Sequence, residues 1–368
     1  DALPIWLLAS SRSVGKTLEF KGKAYPVEEL TAAAFKGIDI AFFSAGATRS
    51  REFVPAAKAA GAVVVDNSSA FRMDPTVPLV VPEVNAGDLA KHGGVIANPN
   101  CCAAILAAAV WPIHLAAGIR KIVVSTYQSA SGAGTQAMQE LEDQVRDHVA
   151  GKEIERKVFP HQIAFNLFSH NTKIGENGYN EEENKVIEEM RKMFHMPHLA
   201  IVPTCIRVPV LRAHSEAISL ELDKPLSPAE ARDILARAPG IKLVDDATAN
   251  HFPMPLEASG DLDIHVGRIR RDLSNPNGLV LFAAGDQITA AKLVLVVIWW
   301  GAAASKINQH FPFVVSAMLS NSTPSRTERH AWPNRSVEAT RNGIGPRSAV
   351  VHDAPRGPMP LRAPHLQR

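Results

Sequence analysis

The strongest constraint on the fold of this chain is a series of short, unbroken apolar runs within its first hundred residues. LPIWLLAS (3–10), IDIAFF (39–43 at its core), AVVVD (62–66), PLVVPEV (78–84) and GVIANP (94–99) are rich in Val, Ile and Phe and too short for typical helices. Between the second and third lies SREFVPAAKAAG (50–61), which has helical spacing. Strands that are apolar on both faces belong to parallel sheets covered by helices and joined by βαβ crossovers. The pattern predicts a doubly wound, Rossmann-like α/β layout. It is also incomplete, because no strand followed by G-x-x-G-x-x-G precedes LPIWLLAS, and that turn is the usual cradle for a pyrophosphate.

After Cys101 the pattern changes. An Ala-rich helix (102–117), the strand KIVVSTYQ (121–128), a Ser-Gly-Ala-Gly loop and charged helices over 135–149 and 181–194 precede the strands TCIRVPV and AISLELD. Longer strands mixed with helices predict an α+β domain. The expected division is an incomplete doubly wound parallel-sheet domain (1–100), an α+β domain (101–288), a helix-like segment returning to the first domain (289–318) and a tail (319–368). The tail holds seven prolines, eight arginines, no lysine and three acids without periodicity, so it is expected to be disordered.

A formal net charge of +2 over 368 residues argues against a nucleic-acid binder. The most apolar run, Leu293 to Trp300, is far shorter than the roughly 20 residues of a membrane span. No charged n-region followed by an apolar h-region opens the sequence, so no secretion signal is expected. Three cysteines, Cys101, Cys102 and Cys205, make no disulfide framework and point to a reducing compartment, with the cytoplasm as the expected location.

Two of those cysteines stand directly behind Asn-Pro-Asn in IANPNCCAAI (96–105). Adjacent cysteines close only a strained ring, and no CxxC or nearby His completes a metal-ligand spacing, so neither a disulfide nor a metal site is expected. Asn100 is a good N-cap and the Ala-rich run a good helix former, which puts Cys101 in a first turn, where the helix dipole favours a thiolate. From these residues alone, the pair is either two small core residues at a helix start or a nucleophile with a buried neighbour.

Six segments bear on the choice. NPNC (98–101), DNSSAFR (66–72), STYQSASGAG (125–134), CIRVPVLRAHSEA (205–217), FPMPLEASG (252–260) and VGRIRRD (266–272) resemble, in order and spacing, bacterial aspartate-β-semialdehyde dehydrogenase. The similarity runs from about Ala9 to Gln287. It implies a first domain that binds NADP, a catalytic and dimerisation domain, and a homodimer. It also implies reversible phosphorylating oxidation of aspartate semialdehyde to aspartyl phosphate through a cysteine thioester, in the synthesis of lysine, methionine and threonine.

The resemblance makes Cys101 the nucleophile, His214 the acid and base, and Gln128 the residue that orients the acyl intermediate. It makes Arg207 the clamp on the substrate carboxylate and Glu183 the partner of the substrate ammonium, and gives Arg72, Asn100 and Lys185 the phosphate. Arg207 and His214 are seven residues apart, so on one strand they would face opposite ways, and a bend or a bulge near Pro209 is required. For the cofactor, Ser11, Arg12 and Ser13 match a loop on the NADP 2′-phosphate; Ser44, Ala45, Gly46 and Ser68 match strand-end contacts; Ser131, Gly132 and Gln287 match neighbours of the nicotinamide. No metal is implied.

The chain departs from the resemblance twice. The family's opening strand, glycine turn and helix have no counterpart ahead of LPIWLLAS, so cofactor affinity is expected to be weak. Beyond GDQI (285–288) the composition switches abruptly, as an unrelated fused segment or a reading-frame change would produce. Two rivals follow: a non-catalytic homologue or gene fragment that keeps the dimerisation domain, and an N-acetyl-γ-glutamyl-phosphate reductase-like enzyme, against which FPMPLEASG and VGRIRRD speak.

Overall fold

The computed structural model describes residues 5–20, 22–286 and 348–351. The first part is built from β1 (Ile5–Ala9), β2 (Thr17–Phe20), β3 (Lys23–Glu29), β4 (Ile40–Phe43), α1 (Ala47–Ala59), β5 (Val63–Asp66), α2 (Pro82–Asn85) and β6 (Val95–Ala97). The expected strands are there, with one exception. PLVVPEV makes a single bridge, Leu79 to Ala97, and then turns into α2. Pro78 and Pro82 have no N–H to give a ladder, and proline suits the first turn of a helix.

The second part comprises α3 (Cys101–Ala117), β7 (Ile119–Gln128), α4 (Thr135–Val149), β8 (Phe168–Ser169), α5 (Glu181–Met193), β9 (Ala200–Arg207), β10 (His214–Leu222), α6 (Pro228–Leu235), β11 (Ile241–Leu243), α7 (Pro255–Ala258), β12 (Ile264–Arg271) and β13 (Gly278–Gly285). These strands form one mixed sheet in the order β11-β12-β13-β10-β7-β9-β8. Helix α3 is apolar all round and is buried along nearly its whole length, as such a helix must be. Its residues join those of both sheets in one continuous core.

The first sheet runs β2-β3-β1-β14-β4-β5-β6, where β14 is Ser348–Val351. It pairs in parallel with β1 on one side (Ile5 with Ser348) and with β4 on the other (Ile40 with Ser348). The interior place between β1 and β4 is therefore held by four residues of the segment expected to be disordered. Their Ala-Val-Val core has the composition of the neighbouring strands, and pairing on both sides satisfies backbone groups that β1 and β4 would otherwise leave open. The helix expected over 289–318, the rest of the tail and Gln287 lie outside the described residues.

Candidate active site

The site assembles where three adjacent strands end beside the start of one helix. Asn100 caps α3: its Oδ1 accepts from the backbone N–H of Cys102 (3.0 Å) and of Ala103 (3.3 Å), which leaves Cys101 as the first helical residue. Gln128 ends β7 and pairs with Arg207, which ends β9; His214 opens β10 on the other side of β7. Arg207 and His214 thus occupy separate strands, and the break required by their odd spacing is the connection 208–213, closed by Ala213 at φ +68°.

The sulfurs of Cys101 and Cys102 and a ring nitrogen of His214 lie within 4.8 Å of one another. The backbone N–H of Ser129 donates to His214 Nδ1 (3.0 Å), so in the neutral ring the proton sits on Nε2. Nε2 is buried and makes no conventional hydrogen bond among the described residues. Ser131 hydrogen-bonds Ser129, whose hydroxyl is 2.9 Å from His214 Nδ1. A Cβ on Gly132 would come within 3.0 Å of both Arg207 Nη1 and His214 Nε2, so the narrow space between these two groups needs a glycine.

The three thiols are sharply different. A hydrogen bond from Cys102, together with the neighbouring His214, holds the Cys101 thiol well below the usual thiol range against the opposing effect of burial. Burial pushes Cys102 well above that range and Cys205 to about 12. Cys101 is half-buried and the other two are buried. These are the features of one reactive thiolate and two inert packing residues.

Of the acids in NEEENK, Glu182 faces the cluster and Glu183 does not. Glu182 accepts from Asn100 Nδ2 (2.7 Å), Gln128 Nε2 (3.2 Å) and Lys185 Nζ (3.2 Å). Burial would raise its carboxyl, but the His170 ring, Lys185 and these hydrogen bonds bring it to about 2. Glu183 closes a capping box with Asn180 and accepts from the Cys205 backbone, a structural duty that turns it away. Arg72 is also differently employed. Its guanidinium donates to the carbonyls of Asn98 and Asn67 and pairs with Glu189 at 3.1 Å, so its charge is answered within the protein.

Of the residues matched to a cofactor, Ser131 and Gly132 lie beside His214, and those of the first part follow the carboxyl ends of its sheet's strands. Ser11, Arg12 and Ser13 form a turn after β1, with Arg12 exposed; Ser44, Ala45 and Gly46 follow β4. Gly46 caps α1 at φ +88°, without a side chain to occupy the helix's first N–H groups. That open, electropositive end suits a phosphate. Ser68 is bound to Asp66 instead.

Three participants escaped the sequence. His170 sits 2.8 Å from Arg207 Nη2, Glu189 receives the Asn100 N–H, and Glu216, two residues beyond His214, is fully buried. Burial and the nearby Cys101 push the Glu216 carboxyl well up. Neither of its oxygens has a hydrogen-bond partner among the described residues. His170 and Glu189 carry no motif of their own; Glu216 was visible only as the acid of HSEA.

Comparison with known proteins gives the family. Residues 3–92 match the NAD binding domain of semialdehyde dehydrogenase, and residues 110–290 match its dimerisation domain. Residues 275–339 also match a family described as a transmembrane protein of unknown function. Among the described residues no helix is long and apolar enough to cross a membrane. The aspartate-semialdehyde dehydrogenase of Synechocystis sp. is 52% identical over 282 residues, covering 77% of this chain and 83% of that protein. That of Bacillus subtilis is 44% identical over 290 residues, covering 77% and 84%. The crystal structure of aspartate semialdehyde dehydrogenase II complexed with ASA from Vibrio cholerae superposes with a TM-score of 0.77 at 39% identity, over 80% of this chain and 88% of that one. This chain belongs to the aspartate-semialdehyde dehydrogenase family.

Proposed function

We propose that the chain catalyses the reversible, phosphate-dependent oxidation of aspartate semialdehyde to aspartyl phosphate, with NADP as hydride acceptor. The observation that carries this is the Cys101 thiol, held low at a helix start and within 4.8 Å of His214. The sulfur attacks the aldehyde carbon and the carbonyl oxygen gains charge, which the Nε2–H of His214 meets. Ser131 and Gly132 would border the nicotinamide of a bound cofactor, which would supply the hydride acceptor for oxidation of the thiohemiacetal to the thioester. A phosphate oxygen then attacks the resulting thioester and the Cys101 thiolate leaves, free for another cycle.

The surrounding groups match the substrate's charges. Arg207 suits the α-carboxylate as a planar fork, and Glu182, rather than Glu183, suits the ammonium. Gln128 holds Glu182 and stands ready for the acyl oxygen; the part-exposed Lys185 suits the phosphate, while Asn100, engaged with Glu182, Glu189 and the start of α3, holds these groups in place. An exposed Arg12 beside Ser11, with no acid at the end of β1, favours NADP over NAD. The dimerisation domain supports a homodimer.

The test is reduction of NADP by the purified chain with L-aspartate semialdehyde, with NADP in large excess, with and without phosphate. Turnover that requires phosphate and falls when NAD replaces NADP is expected; no turnover, or turnover indifferent to phosphate, would overturn the proposal. Gly132→Ala should reduce kcat/KM roughly 10²-fold, because an added methyl forces Arg207 and His214 apart and small displacements of reacting groups are costly. An unchanged kcat/KM would show that the space is not used.

A further inference from the structure

Arg207 is gripped on three sides. Nη1 donates to the Ser129 carbonyl (3.1 Å), the Phe159 ring lies 5.9 Å from Cζ, and Nη2 lies 2.8 Å from His170 Nε2. Arginine has no acceptor, so His170 Nε2 must be the acceptor and the ring proton must sit on Nδ1. Nδ1 then donates to Thr172 Oγ1 (3.2 Å), which also receives the backbone N–H of Glu182 (3.3 Å). The His170 backbone is fixed in turn by its N–H to the Cys205 carbonyl (2.8 Å). One imidazole thereby links the guanidinium of β9 to the first turn of α5.

We propose that His170 is a positioning residue for Arg207. This rests on the reading of Arg207 as the substrate's carboxylate clamp. The ring's lone pair fixes the plane of the guanidinium, which leaves the buried Arg207 Nε–H, unpartnered among the described residues, for the incoming carboxylate. Burial and the adjacent Arg207 charge hold His170 down at about 4, so the lone pair is present at neutral pH. A free arginine side chain would have to be ordered afresh by each substrate molecule, and the fixed one is ordered already.

The experiment compares His170→Ala, His170→Gln and His170→Asn with Arg207→Ala, reading KM, kcat and the calorimetric Kd for L-aspartate semialdehyde without cofactor. Glutamine can place an acceptor near the position of Nε2; asparagine is too short. The alanine and asparagine variants should raise KM and Kd about tenfold with kcat nearly unchanged, and glutamine should restore most of the affinity. Should the alanine variant fail to fold, the glutamine and asparagine pair carries the comparison. If Arg207→Ala weakens binding and the His170 variants do not, or glutamine fares no better than asparagine, the positioning role is overturned. If Arg207→Ala leaves binding unchanged, the clamp reading itself fails.

Discussion

Replacing Cys101 with alanine should lower the phosphate-dependent rate by about 10⁴-fold or more, because no other group can form and release the acyl bond. A readout independent of turnover follows from the three thiols. Cys101 alone is held low, whereas Cys102 and Cys205 are buried and pushed up. Brief iodoacetamide treatment of the folded chain at neutral pH should therefore alkylate Cys101 and spare the others. The alanine variant should take up no label under the same conditions. Labelling at Cys205, or equal labelling of Cys101 and Cys102, would remove the basis for assigning the nucleophile.

The second large effect concerns Glu189. Its carboxylate accepts the Asn100 N–H and pairs with Arg72, which in turn holds the carbonyls of Asn67 and Asn98. Burial pushes the Glu189 carboxyl up and the Arg72 charge opposes it. Glu189→Ala leaves a guanidinium buried without its counter-charge, a change that typically costs about 3–5 kcal/mol. Urea denaturation should show that loss, and activity should fall with it, since Asn100 caps the helix that presents Cys101. Glu189→Gln keeps an acceptor for Asn100 and should be milder. A midpoint for the alanine variant close to that of the unsubstituted chain would mean that the pair is not a structural pin.

What the sequence disclosed and what it hid divide along a physical line. The strands β4, β5 and β6 and the position of Cys101 at a helix start depend on local pattern, which a single sequence carries. The meeting of Gln128, Arg207 and His214 depends on β9 and β10 flanking β7, a non-local pairing that no spacing rule contains. TCIRVPV and AISLELD announce two strands, and the odd spacing of Arg207 and His214 announces the break between them, but neither tells that both strands flank β7. The sequence does distinguish Glu182 from Glu183. Asn180 followed three residues later by Glu183 is a capping box, and that engagement frees Glu182 for the site. His170 lies in a stretch without periodicity, and only the fold brings it to Arg207.

The partnership of β1 and β14 also bears on when the molecule can be finished. Their paired residues, Ile5 and Ser348, lie 343 positions apart in the sequence (348 minus 5). Such a long closure adds little to the equilibrium cost, because loop entropy grows only logarithmically, at about 0.6 kcal/mol per doubling. Its weight falls on timing. On a ribosome, the described strands of the second sheet are all made once residue 285 has emerged, while β1 and β4 must wait for residue 351. Until then a nascent chain carries two unpaired strand edges, the kind of surface on which aggregation and chaperone capture begin.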